Sequence, residues 1–192
     1  MKKLISVVLV LVMALSVLAG CAGNNEQPTE PQVSGPASAL AVLENVWTLY
    51  GEDEKFPVIG GNMESPVDGA PGAYDMAYAE NLTYNLAIPA EELGNVTEAA
   101  TMIHMMNANT FTAGVVKMAE GADVAAFAST MHDALVNNQW MCGMPEYMVI
   151  ADMGGQYVLV AFGVNDAMGP FEAKLAEAYP TATVLYGEAM VG

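Results

Sequence analysis

The chain has 192 residues, 22 of them acidic and five basic, and a formal net charge of −17. That balance excludes a nucleic-acid binder, because displacing counterions from phosphates needs clustered cationic side chains, and it sets the bare domain against an anionic membrane surface. A hydrophobic fraction of 54% is that of a folded protein, and the acidic surplus reads either as solubility or as attraction for cations and basic ligands.

Lys2 and Lys3 open the chain, an apolar run extends from Leu4 to Leu18, and Leu18-Ala19-Gly20-Cys21 closes it. The run is shorter than the roughly 20 residues a transmembrane helix needs. A positive start, a short apolar stretch and small residues before a cut are the parts of a secretory signal. The segment resembles a bacterial lipoprotein signal peptide with its lipobox. That resemblance implies cleavage between Gly20 and Cys21, lipid attachment to the Cys21 thiol, and a place on the extracytoplasmic side of the cell membrane. Two acyl chains on one cysteine are enough for stable anchoring. The expected organisation is a signal peptide over 1–20, a lipidated cysteine and flexible tether over 21–38, and one α+β domain over 39–192. Beyond the signal, Lys55, Lys117 and Lys174 are the remaining cations. With Cys21 acylated, Cys142 stands alone and no intrachain disulfide forms.

The tether, AGNNEQPTEPQVSGPAS, is polar, proline-bearing and without apolar periodicity. Pro36 opens a helical pattern with Leu40, Leu43, Val46, Trp47 and Tyr50 on one face, ended by Gly51. The stretch from Glu52 to Ala73, rich in glycine and proline, reads as a long excursion of turns. A short helix is expected within Tyr74 to Leu86. Val96 to Met106 suits a helix at its start and alternates like a strand at its end. Asn107-Ala108-Asn109 turns the chain into an extended run from Phe111 to Met118. Asp123 caps a helix with Val124, Phe127, Ala128, Met131 and Leu135 in one stripe. Tyr147 to Met153 and Gln156 to Phe162 form a hairpin across Gly154-Gly155. Asn165 or Asp166 caps a last helix, Pro180 stops it, and Thr181 to Tyr186 closes the chain as a strand. The expected fold is therefore α+β: an antiparallel sheet with helices on one face, in ferredoxin-like βαββαβ order over residues 110–187, preceded by a helical and loop-rich elaboration. Through MIHMMNAN (Met102 to Asn109), QWMCGMPE (Gln139 to Glu146) and the hairpin that follows, the domain resembles small bacterial lipoprotein families of unknown function, a resemblance that implies no activity.

Chemistry-bearing residues are few. Cys142 reads as a small buried hydrophobe, or as a reactive thiol activated by His104 or His132. Fifteen methionines are many for this length; Met102, Met105, Met106, Met141 and Met144 cluster in sequence near His104 and Cys142. Thioether, thiolate and imidazole together select Cu(I), whereas methionine alone fills irregular core gaps or lines an adaptable surface. Copper-carrying ferredoxin-like domains place two cysteines in the first strand–helix loop, and this chain has one, after the helix. His104, sharing a strand face with Met102 and Met106, reads as a satisfied, partly buried histidine before it reads as a ligand. Glu52-Asp53-Glu54 lacks the alternate acids and central glycine of a calcium loop. No metal site, cofactor or catalytic residue is assigned.

The expectation is a non-enzymatic, lipid-anchored binding or accessory module whose ligand is a small molecule, a peptide or a protein. Its contact residues are expected in the glycine-rich loop and in Trp140 to Pro145, with Trp140, Cys142, Met144 and His104 as candidates. The rival is a soft-metal or redox-thiol protein using Cys142, His104 and the nearby methionines.

Overall fold

The computed structural model describes residues 35–190; the signal segment, Cys21 and most of the tether lie outside the described residues. Eight strands among the described residues make one sheet: β1 (Val58–Gly60), β2 (Val67–Asp68), β3 (Gly72–Ala73), β4 (Val96–His104), β5 (Phe111–Met118), β6 (Tyr147–Gly154), β7 (Tyr157–Gly163) and β8 (Thr183–Ala189). The α-helices among the described residues are α1 (Ala39–Trp47), α2 (Leu82–Asn85), α3 (Val124–Val136) and α4 (Asn165–Ala178). Sheet order is β2-β1-β4-β5-β7-β6-β8, with β3 also pairing β4, and every pair is antiparallel.

The class is α+β, as the sequence implies, but two features of the expected arrangement are corrected. The βαββαβ element order is present, yet β8 pairs β6 at the sheet margin, and β5 pairs β4 on the side where a ferredoxin-like sheet would place its last strand. The helices also lie on both faces. One core cluster joins α1 and α4 to Met102, Phe111, Val115, Val149, Leu159 and Ala161. The other joins α2 and α3 to Val116, Met148, Ile150, Val158, Val160 and Phe162. Crossover handedness explains this. The connections β5-α3-β6 and β7-α4-β8 step across the sheet in the same direction but start from strands of opposite sense. Right-handed crossovers then place their helices on opposite faces. In the ferredoxin-like order the second step runs back the other way, and both helices share a face.

Coverage on both sides leaves β7 buried along its whole length, with successive residues alternating between the two cores. FTAGVVKM and YVLVAFG are near-continuous apolar runs for this reason. Each large apolar side chain so buried contributes about 1.5–3 kcal/mol relative to exposure.

Local signals fix the helix starts. Ser38 Oγ accepts from the Ala41 N–H at 3.0 Å, and Glu98 Oε1 accepts from the Ala39 N–H at 2.7 Å, placing a carboxylate at the positive end of α1. Asp123 caps α3 through the Ala126 N–H at 3.0 Å. The expected cap of α4 is corrected. Val164 is the capping residue and has no capping side chain, and Glu146 Oε2 instead accepts from the Asn165 N–H at 2.8 Å. The hairpin turns through Gly154, Gly155 and Gln156 at φ of 79°, 59° and 69°. The glycine-rich excursion is partly ordered sheet: β1, β2 and β3 lie within it, and the backbones at Gly60 and Gly72 approach too closely for a Cβ on either.

Candidate functional site

Three connections meet at the end of the sheet where β4 finishes and β5 and β6 begin. The first is the turn after β4, from Met105 to Thr110. His104 shapes it: its Nδ1 accepts from the Met106 and Asn107 N–H groups at 3.2 and 3.4 Å, and its ring stacks on Phe56 at 5.9 Å. Asn107 Oδ1 accepts from the Asn109 N–H at 2.9 Å. The second connection is the α3–β6 link. Asn107 Nδ2 donates to the Cys142 carbonyl at 3.1 Å and Asn109 Nδ2 donates to the Gly143 carbonyl, so two carboxamides brace one loop against the other. The third is α2, held to the sheet by Leu82 and Leu86, both fully buried.

Between these connections lies an open groove of about 630 Å³. Thr83 and Tyr84 form one wall, Met106 to Asn109 a second, and Asn138 to Cys142 a third. None of the lining residues is Asp, Glu, Lys, Arg or His, in a chain of net charge −17. Four carboxamides (Asn107, Asn109, Asn138, Gln139) alternate with apolar groups. Met141, Tyr84 and Met106 are 93%, 88% and 84% exposed, and they are the three most exposed large apolar residues among those described.

The expected site residues divide. Trp140 and Cys142 line the groove. Trp140 packs its ring against Phe162 at 5.1 Å, and its Nε1 is buried with no hydrogen-bond partner among the described residues. Cys142 is exposed, which corrects the reading of a buried hydrophobe. Met144 packs against the core beneath α3. His104 uses its Nδ1 in the turn and is not among the residues lining the groove. The glycine-rich loop, an expected contributor, supplies none of the lining residues. Thr83 and Tyr84, within an expected helix, Asn107 and Asn109, within an expected turn, and Asn138 and Gln139, ahead of the Trp140–Pro145 segment, are functional candidates that the sequence did not single out. The signal available for them was the amide-rich composition of Asn107 to Asn109 and Asn137 to Gln139.

His132 sits elsewhere, between α3 and β8. Its Nε2 lies 2.8 Å from Glu188 Oε1 and its Nδ1 3.1 Å from Asp133 Oδ1, and its ring stacks on Tyr186 at 4.4 Å. The Glu188 carboxylate, aided by Asp133, raises the imidazole above its ordinary value against the opposing effect of burial. Among the described residues no group of three or more His, Cys, Asp and Glu could hold a metal ion, and no helix is long and apolar enough to cross a membrane.

No protein-family model, curated protein or solved structure matches this chain.

Proposed function

We propose that the protein is a lipid-anchored, extracytoplasmic binding module that captures an uncharged, hydrogen-bond-rich ligand in the groove between α2, the Met105–Thr110 turn and the α3–β6 link. The lipobox resemblance at Leu18 to Cys21 supports the location. The observation that carries the binding role is the lining itself. Carboxamides both donate and accept hydrogen bonds without charge, and Tyr84 and Trp140 offer apolar faces beside them. A saccharide ring is the simplest ligand chemistry with adjacent hydroxyls and an apolar C–H face. Binding is favoured over catalysis because the lining, apart from the Tyr84 phenol and the Cys142 thiol, offers no carboxylate, imidazole or ammonium for proton transfer. A titration of neutral oligosaccharides followed by Trp140 fluorescence tests it, since Trp47 is buried in the core on the opposite face. Saturable change in the wild type that is lost in Tyr84→Ala and in Asn109→Ala is expected. No change with any neutral sugar, or equal binding in both variants, overturns the ligand class.

One observation favours a second reading. Met106, Met141 and Cys142 line the same groove, a thioether and thiol set suited to Cu(I). On this reading the metal is held without His104. Native mass spectrometry with Cu(I) is expected to show one bound ion that is lost in Cys142→Ser and in Met106→Leu.

A further inference from the structure

Strand β8 forms one edge of the described sheet, the opposite edge from β2, and among the described residues it pairs only with β6. The Met190 N–H donates to the Glu146 carbonyl at 2.9 Å. Antiparallel partners alternate between bonded and non-bonded pairs. Counting back from Met190, Glu188 and Tyr186 therefore turn their main-chain groups toward β6, and Gly187 and Ala189 turn theirs outward. Free edges are commonly guarded by lysine, proline, other charges or bulges; β8 (TVLYGEA) carries no lysine or proline, and its register shift between Val184 and Tyr186 lies before Gly187 and Ala189. Its Val184 is 54% exposed.

Beside this edge, on the face covered by α4, lies an open cavity of about 510 Å³. Val149, Leu175 and Val184 give it an apolar lining, and Glu172 is its one charged residue. Burial shifts the Glu172 carboxyl upward from its ordinary value, and among the described residues no cation offsets that shift.

We propose that the outward edge of β8 and the adjoining cavity dock an extended, cationic peptide segment of another protein, which joins the sheet as a further strand. The main-chain groups of Gly187 and Ala189 bond the incoming backbone. An apolar side chain enters the cavity, and a lysine or arginine of the segment meets Glu172. This is the strand-addition mode, in which backbone bonds supply affinity and alternate side chains supply selectivity. Charge decides the class of occupant. A second copy of this chain would bring a net charge of −17 to the same face, and like charges at an interface are disfavoured. Lys55 and Lys174 are engaged by Glu52 and Glu54, and Lys117 lies over Tyr157. Among the described residues no lysine is left to meet Glu172, and on this proposal the partner supplies that cation. The site shares no lining residue with the groove above and stands independently of it.

The test uses the full chain in detergent micelles and an acetylated, amidated nonapeptide alternating valine and lysine, followed by anisotropy and by backbone amide NMR. Saturable binding is expected, with shifts at Gly187 and Ala189 and at least about ten-fold weaker binding of the valine–glutamate counterpart. Ala189→Pro removes one outward donor and is expected to weaken binding by about five-fold or more. Glu172→Gln is expected to weaken it and to flatten its dependence on salt, because screening acts on that ion pair. Should Ala189→Pro fail to give a dispersed amide spectrum, Glu172→Gln and the salt dependence decide alone. Equal binding by wild type and Glu172→Gln overturns the proposal. So do shifts confined to Tyr84, Asn107 and Trp140, or self-association without peptide that moves the β8 amides, which would make a second copy the occupant.

Discussion

Leu86 docks the segment that carries Tyr84 onto the sheet, and it does so at Gly114. The Leu86 side chain is fully buried. A Cβ built on Gly114 would overlap it, with the Leu86 Cγ only 2.9 Å away. Gly114 lies in the middle of β5, between Thr101 and Val160, where glycine is ordinarily a weakness and alanine an improvement by about 0.5–1 kcal/mol. Here the sign reverses. Gly114→Ala is expected to destabilise by about 1–3 kcal/mol, because the methyl must displace a packed side chain. Leu86→Ala is expected to cost about 3 kcal/mol through lost transfer energy and a residual cavity. At about 2–4 °C per kcal/mol for a domain of this size, that lowers the melting temperature by about 6–12 °C. In the double variant the new methyl occupies space that Leu86 has vacated. Its total is therefore expected to match Leu86→Ala alone, a favourable coupling of at least about 1 kcal/mol. Urea unfolding by circular dichroism and by tryptophan fluorescence gives the four free energies of the cycle. Additivity within about 0.5 kcal/mol would refute the reasoning, and so would stabilisation by Gly114→Ala.

His132 gives a pH signature. Its folded pKa is raised above the unfolded value by Glu188 and Asp133, so its contribution is fully present below the unfolded pKa and fades as pH rises through the folded one. Wild type is expected to lose urea resistance relative to His132→Gln as pH rises above the ordinary imidazole value of about 6.5, and parallel curves would refute the clamp between α3 and β8. Cys142, being exposed, is expected to react with Ellman's reagent in the native state at the rate of a free thiol, and protection until unfolding would contradict the placement. Tyr84→Ala is expected to change stability by no more than about 0.5 kcal/mol, since the ring is 88% exposed. Asn109→Ala removes a brace between the two groove loops and is expected to speed amide exchange across residues 139–144, with unchanged rates counting against that brace.

Periodicity and turn chemistry are local, so much of the chain was legible without a structure. Phe111–Met118, the hairpin around Gly154-Gly155 and the helix capped by Asp123 stand where their residues predict. Val96–His104 was ambiguous because ATMIHMM satisfies both periods, and pairing with β5 along nearly its whole length resolves it as strand. The excursion from Glu52 to Ala73 hid three strands because its glycines mark close backbone approach as well as turns, and composition does not separate the two. The two-sided core was in principle readable: YVLVAFG has no polar alternation, as a strand covered on both faces requires. The groove was not readable, because Tyr84, Asn107 and Trp140 are separated along the chain and only loop geometry brings them together.

The residues by themselves determined a strongly acidic α+β domain and the resemblance of its leading segment to a lipidation signal, because charge, hydrophobic period and a cleavage motif are properties of neighbours in sequence. Tertiary structure alone decided that β8 lies at a sheet edge beside β6, that α3 and α4 lie on opposite faces, that Cys142 meets solvent, and that an uncharged groove exists. Those outcomes depend on which strand pairs with which, and pairing is a competition among distant segments that no local pattern records.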